Sequence, residues 1–137
     1  MRGDEILPLF VFGTLRRGES NHHLLHGRYE RWQTAVLRGF SRGTAGHGFP
    51  SIAPWPAGLV EGELFWLMPH RAAEVMADCD RLEDLPVGEL VGPYYRRACV
   101  VVESGGDRVE AWAYVSPETP VETGLRVRLP TENDRNV

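Results

Sequence analysis

The chain contains no lysine, and all 15 of its basic residues are arginine. Without a lysine amine there is no Schiff-base or pyridoxal-phosphate chemistry, and no P-loop, whose lysine is required to reach the phosphates. Cysteine is scarce too. Cys79 and Cys99 stand alone, with no C-x-x-C pair, so a disulfide framework, a structural zinc and dithiol redox work all lack their residues. No G-x-G-x-x-G follows a strand, which argues against a dinucleotide fold. No apolar stretch is long enough to span a bilayer, and the first residues lack the apolar core of a signal peptide, so the expectation is a cytoplasmic protein with no membrane association. Positive charge is not in excess. A formal charge of −4 gives no electrostatic reason to expect nucleic acid as a partner.

What is present is ordinary for a globular chain: 42% hydrophobic and 25% charged residues over 137 positions, which suits one domain, 1–137, with a core over about 7–115. An apolar run from Leu7 to Phe12 predicts a buried strand. One helical turn is expected at Asn21 to His26, and a strand over Tyr29 to Gly39. The segment from Gly43 to Gly58, punctuated by glycine and proline, reads as a loop. Leu59 to Leu67 reads as a strand. Ala72, Val75, Met76, Cys79 and Leu82 recur at helical spacing, so an amphipathic helix is expected over 69–84, with Pro69 at its first position. Tyr94 to Glu103 and Arg108 to Val115 should form a hairpin about Gly105-Gly106-Asp107. The tail from Ser116 is polar and proline-rich, without periodicity. Strands outnumber helices without regular βα alternation, so the fold class is α+β, with a largely antiparallel, closed sheet and one main helix.

Two places carry chemical interest. The first strand stops abruptly at Phe12-Gly13-Thr14-Leu15, where a residue without a Cβ lets the backbone turn and a ligand approach. Successive N–H groups in such a turn converge into a pocket for a carboxylate or an oxyanion, although many turns of this kind only reverse the chain. The second place is Glu83. It lies four residues after Cys79 and seven after Met76, on the apolar face of the helix and at its negatively polarised end. Burial and dipole both push a carboxyl there upward, toward a pKa suited to proton transfer near neutrality. A frayed helix end would instead leave Glu83 in solvent, and Asp80, one turn earlier, competes for the same role.

An ordered set of short motifs then resembles the gamma-glutamylcyclotransferase-like family, in its AIG2-like or gamma-glutamylamine cyclotransferase branch. Phe12-Gly13-Thr14-Leu15 is similar to the opening Y-G-T/S-L. A basic loop, Arg16-Arg17-Gly18, and Asn21-His22 follow. Phe49-Pro50 matches a midchain aromatic-proline, and Val60 to Phe65 matches V-x-G-E-L-(aromatic). Cys79-Asp80-Arg81-Leu82-Glu83 corresponds to the family's catalytic segment. Tyr95-Arg96-Arg97 to Val102 and Ala111 to Val115 correspond to its last strands. The resemblance covers about residues 8–115, with no recognisable match beyond Ser116. Phe12 departs from the pattern by lacking the tyrosine hydroxyl.

The resemblance implies an enzyme that releases 5-oxoproline from a gamma-glutamyl amine, or from a small molecule carrying a gamma-glutamyl group. The substrate's α-amine attacks its own γ-carbonyl, with Glu83 as general acid and base. It further implies that Phe12, Gly13, Thr14, Leu15, Tyr95 and Arg97 bind substrate, and that no cofactor or metal is needed. Arg97 could instead form a structural ion pair with Glu63 or Asp80, and Tyr95 could simply cap the core. His22 and His26 have zinc-compatible i, i+4 spacing without an evident third ligand. Cys99 reads as a small core residue, and Phe65, Trp66, Trp112 and Tyr114 read chiefly as core. The alternative is a non-catalytic protein on the same fold that binds a small molecule or a partner. Oligomeric state is not addressed by any of these features.

Overall fold

The computed structural model describes residues 6–44 and 50–119. Along the chain come β1 (Leu9–Val11), a 3-10 turn (His22–Leu24), β2 (Tyr29–Thr44), β3 (Pro50–Leu67), α1 (Ala72–Leu82), β4 (Arg96–Ser104) and β5 (Asp107–Val115). The strands close into a barrel in the order β1-β3-β2-β4-β5. All pairings are antiparallel except β1 with β5, which run parallel through Leu9 and Trp112. The sheet is therefore mixed but largely antiparallel, with one helix, as the sequence led us to expect.

The apolar run at the start of the chain has a simple cause. Phe10 packs into the cluster that fills the barrel, with Leu37, Phe40, Ile52, Val60 and Leu64. Leu9 and Val11 point the other way, into a second cluster with Phe65, Val75 and Cys79 under α1. A strand covered on both faces carries no polar position, and each such side chain contributes about 1.5–3 kcal/mol by burial. β3 runs very close to β1. A Cβ on Gly62 would lie 2.3 Å from the Val11 carbonyl oxygen and 2.8 Å from the Phe10 ring.

Several boundaries differ from those read from the sequence. α1 starts at Ala72, not at Pro69, which sits in a preceding turn closed by the Arg71 N–H donating to the Met68 carbonyl at 2.8 Å. β4 begins at Arg96, leaving Tyr94 and Tyr95 in the approach loop. The largest difference is the stretch read as a loop over 43–58. β2 continues to Thr44, and β3 begins at Pro50 and pairs with it from Phe40↔Pro54 to Thr44↔Pro50. Pro54, Pro56 and Gly58 are tolerated because the ladder is interrupted there. Two steps along β2 (Arg38 to Phe40) face five along β3 (Leu59 to Pro54). Phe49 and the tail from residue 120 lie outside the described residues.

Candidate active site

The end of β1 and the end of α1 line one cavity of about 230 Å³. Phe12, Gly13, Thr14 and Leu15 line it together with Glu83, Tyr95 and Tyr114. Arg16, Glu19 and Arg42 complete its charged rim. β1 delivers the turn because its two-sided burial leaves the chain no freedom until Gly13. The turn itself is held from below. The Arg16 N–H donates to the Gly13 carbonyl at 3.1 Å, and the Asn21 N–H to the Thr14 carbonyl at 2.8 Å. The Asn21 side-chain amide donates to Thr14 Oγ1 at 2.9 Å, and His22 Nδ1 meets the Leu15 carbonyl oxygen at 2.9 Å. These contacts occupy carbonyls. The N–H groups of Gly13, Thr14 and Leu15 have no backbone acceptor among the described residues. A Cβ built on Gly13 meets nothing within 4 Å, so the space beside it is open to a ligand.

Glu83 terminates α1. Its N–H donates to the Cys79 carbonyl at 3.0 Å, and its backbone (φ −90°, ψ 10°) leaves the helix. Asp84 follows at φ 62°, and its carbonyl is approached so closely that a Cβ on Gly92 would lie 2.6 Å from it. This tight exit turns the Glu83 side chain inward, over the cavity. Its carboxyl is pushed up to about 7, chiefly by burial, then by the nearby charges of Asp84 and Asp80. Neither a donated hydrogen bond nor a cation counteracts that rise. Tyr95 is pushed up to about 12, by burial first and then by the Glu83 charge.

Asp80 is placed quite differently. The Tyr114 hydroxyl donates to its Oδ1 at 2.6 Å, and Arg97 Nη2 donates to its Oδ2 at 3.1 Å. Arg97 Nε lies 3.0 Å from Oδ1 without hydrogen-bond alignment, and the Arg97 guanidinium stacks 4.6 Å from the Trp112 ring centroid. Of the two readings open for Arg97, the ion pair with Asp80 is the one observed, and Arg97 does not line the cavity. Cys99 is buried, and His22 packs against Tyr29 and Phe65. No cluster of three potential metal ligands occurs among the described residues. Likewise, no helix among them is long and apolar enough to cross a membrane.

Reading the sequence missed several contributors, among them Glu19 on the rim. Arg16 and Arg42 line the cavity, and Tyr114, read as core, does so as well while holding Asp80. The run of arginine after the turn could have suggested Arg16. Arg42 carried no signal, because it lies between the end of the strand expected to Gly39 and the stretch from Gly43 read as a loop.

The chain is similar to known proteins in sequence and in fold. The family model for gamma-glutamyl cyclotransferase, AIG2-like, matches residues 9–133, and so extends well past the point where the sequence offered a recognisable match. A Niallia circulans protein named gamma-L-glutamyl-butirosin B gamma-glutamyl cyclotransferase is 32% identical over 117 residues, 84% of this chain and 70% of that protein. A putative gamma-glutamylcyclotransferase of Vibrio cholerae is 33% identical over 117 residues, 81% of this chain and 83% of its own length. In fold, an Arabidopsis thaliana protein solved in solution superposes with a TM-score of 0.61 at 20% identity, covering 95% of this chain and 73% of its own. With 125 of its 137 positions inside the matched segment, the chain belongs to the gamma-glutamyl cyclotransferase, AIG2-like family.

Proposed function

We propose that this protein is a gamma-glutamyl cyclotransferase that releases 5-oxoproline from a gamma-glutamyl amide, with Glu83 as the single general acid and base. The observation that carries this reading is the juxtaposition, in one cavity, of a desolvated carboxyl with a raised pKa and a turn whose three N–H groups have no backbone acceptor among the described residues. The chemistry is intramolecular, so the protein has only to fold the substrate and move protons. Glu83, as carboxylate, takes a proton from the α-ammonium. The freed amine attacks the γ-carbonyl carbon, closing a five-membered lactam while the carbonyl π electrons move to oxygen. The N–H groups at Gly13, Thr14 and Leu15 stabilise that oxyanion. Collapse of the intermediate breaks the bond to the leaving nitrogen, which receives the proton from Glu83. The restored carboxylate takes the second proton from the ring nitrogen and passes it to the departing amine, which leaves as an ammonium. A carboxyl held near 7 is suited to both transfers.

The cavity is smaller than the roughly 300–1,000 Å³ of sites for drug-sized ligands, which suits one glutamyl group with its amine portion extending outside. The butirosin-acting relative supports a substrate in which the glutamyl group is attached to a larger molecule. Phe12 favours a second reading. It lines the cavity without the hydroxyl found at this position in the family pattern, and a pocket so altered could bind a small molecule without turnover. A panel of gamma-glutamyl amines and dipeptides, read for 5-oxoproline by mass spectrometry, separates the two. Release from at least one member, lost in Glu83→Gln, supports the enzyme, and binding without release supports the second reading.

A further inference from the structure

The charged rim of the cavity is unevenly satisfied. Arg16 donates through Nε to the Gly13 carbonyl at 3.1 Å and lies 3.8 Å from Glu19, so its charge is already engaged. Arg42 has no acidic partner among the described residues. Its guanidinium carbon stands 5.7 Å from the centroid of the Phe12 ring, at the wall of the cavity that Glu83 also lines.

Its presence on that wall depends on one irregularity. Ala35 and Leu37 point into the barrel, and Arg38 points out, where it pairs with Glu103 at 3.1 Å. Strict alternation would send Phe40 and Arg42 outward with Arg38. Gly39, at φ 87°, and the ladder interruption beside it reverse the alternation, so Phe40 is fully buried and Arg42, itself exposed, lines the cavity. The same interruption requires Gly58, where a Cβ would lie 2.1 Å from the Phe40 carbonyl oxygen. From Arg42 outward β2 pairs with β3, Arg42↔Ile52, and Ile52 is fully buried, which anchors the arm.

We infer that Arg42 is the specificity-determining cation of this site, holding the α-carboxylate of the bound glutamyl group from above Phe12. The inference rests on the proposed glutamyl chemistry, since every gamma-glutamyl amide carries that carboxylate beside the attacking amine. A guanidinium in the same cavity as Glu83 holds the carboxylate of a group whose amine meets the base. It also leaves the N–H groups at Gly13, Thr14 and Leu15 to the oxyanion, and places a donor over Phe12 where the family pattern has a hydroxyl.

Two probes that are not turned over test this: 5-oxoproline, which retains the carboxylate, and its carboxamide, which does not. Dissociation constants are measured by calorimetry for wild type, Arg42→Ala, Arg42→Lys and Arg38→Ala, with thermal unfolding confirming that each variant folds. Wild type should prefer the carboxylate by roughly tenfold or more. Arg42→Ala should abolish the preference, Arg42→Lys should keep part of it, and Arg38→Ala all of it. Survival of the preference in Arg42→Ala, or a wild type that binds neither probe or both equally, overturns the inference. A parallel assay with a gamma-glutamyl amide should show KM raised about tenfold in Arg42→Ala, with kcat within a few-fold of wild type. If the carboxylate preference depends on Arg42 but no amide yields 5-oxoproline, the anion site stands and the enzymatic reading fails. If turnover occurs with a preference indifferent to Arg42, the enzymatic reading stands and this inference fails.

Discussion

Asp80 and Glu83 stand three residues apart on the same helix end, yet the barrel treats them in opposite ways. Asp80 receives the Tyr114 hydroxyl and the Arg97 guanidinium, so both its oxygens are engaged. Glu83 has neither, and burial beside two further carboxylates raises its pKa to about 7. The helix supplies the spacing, but β4 and β5 decide which carboxyl is neutralised, through Arg97 and Tyr114. A carboxylate saturated with donors is a poor base. One that is desolvated and unpaired is kept near the pH at which it can work in both directions.

Removing the unpaired carboxyl should have the largest effect. Glu83→Gln is expected to lower kcat on a gamma-glutamyl amide by about 10²–10⁴-fold while leaving the fold intact. Stability should move the other way. The Glu83 carboxyl is raised in the folded state from 4.5 to about 7. The folded chain therefore holds an extra proton over that interval, and wild-type stability falls as pH rises through it. Glu83→Gln should thus be more stable than wild type at pH 8, by about 1–3 kcal/mol, and show no such gain at pH 4. Denaturant unfolding at the two pH values checks the sign.

Breaking the paired carboxyl should be felt as stability and as a shifted pH dependence. Arg97→Ala leaves Asp80 partly buried without its cation, at a cost of about 1–3 kcal/mol. With the Asp80 charge uncompensated, the proton on Glu83 is held more tightly, and the rising limb of activity should move to higher pH. KM should change little. A large rise in KM with an unmoved pH profile would instead make Arg97 a substrate ligand.

Two glycines sharpen the contrast between scaffold and site. Gly62→Ala drives a methyl into the Val11 carbonyl and the Phe10 ring, and should cost roughly 1–3 kcal/mol or more. At Gly13 an added Cβ has no protein atom within 4 Å, so Gly13→Val should leave unfolding little changed while ligand affinity is lost. The smallest effect belongs to Phe12→Tyr. One added hydrogen bond, worth about 0.5–1.5 kcal/mol, should leave activity unchanged or raise it several-fold.

The legible parts of this molecule are those in which local pattern and burial coincide. The apolar run of β1 and the 3.6-residue stripe of α1 carry their own signal, and Glu83 inherits its inward direction from that stripe. The hairpin about Gly105 and Gly106 is announced by its turn residues, at φ 59° and 88°. The outer halves of β2 and β3 were illegible because Pro50, Pro54, Pro56 and Gly58 suggest a loop, while the pairing that makes them strands is long-range. Arg42 was hidden for the same reason, since its facing depends on an irregularity at Gly39 that a single glycine does not announce. Arg97 illustrates a different limit. Its residue type and strand were readable, but the choice of Asp80 over a ligand depends on how α1 docks against β4.

The central claim is that the unpaired carboxyl at the helix end carries the proton in both directions, and the pH dependence of 5-oxoproline release tests it most directly. Wild-type kcat/KM on a gamma-glutamyl amide should rise with pH on an apparent pKa near 7, as Glu83 becomes the base. In Glu83→Gln that limb should disappear along with most of the rate. A Gln variant that retains near wild-type kcat and the same limb would contradict the account and move the proton transfer to Asp80 or elsewhere.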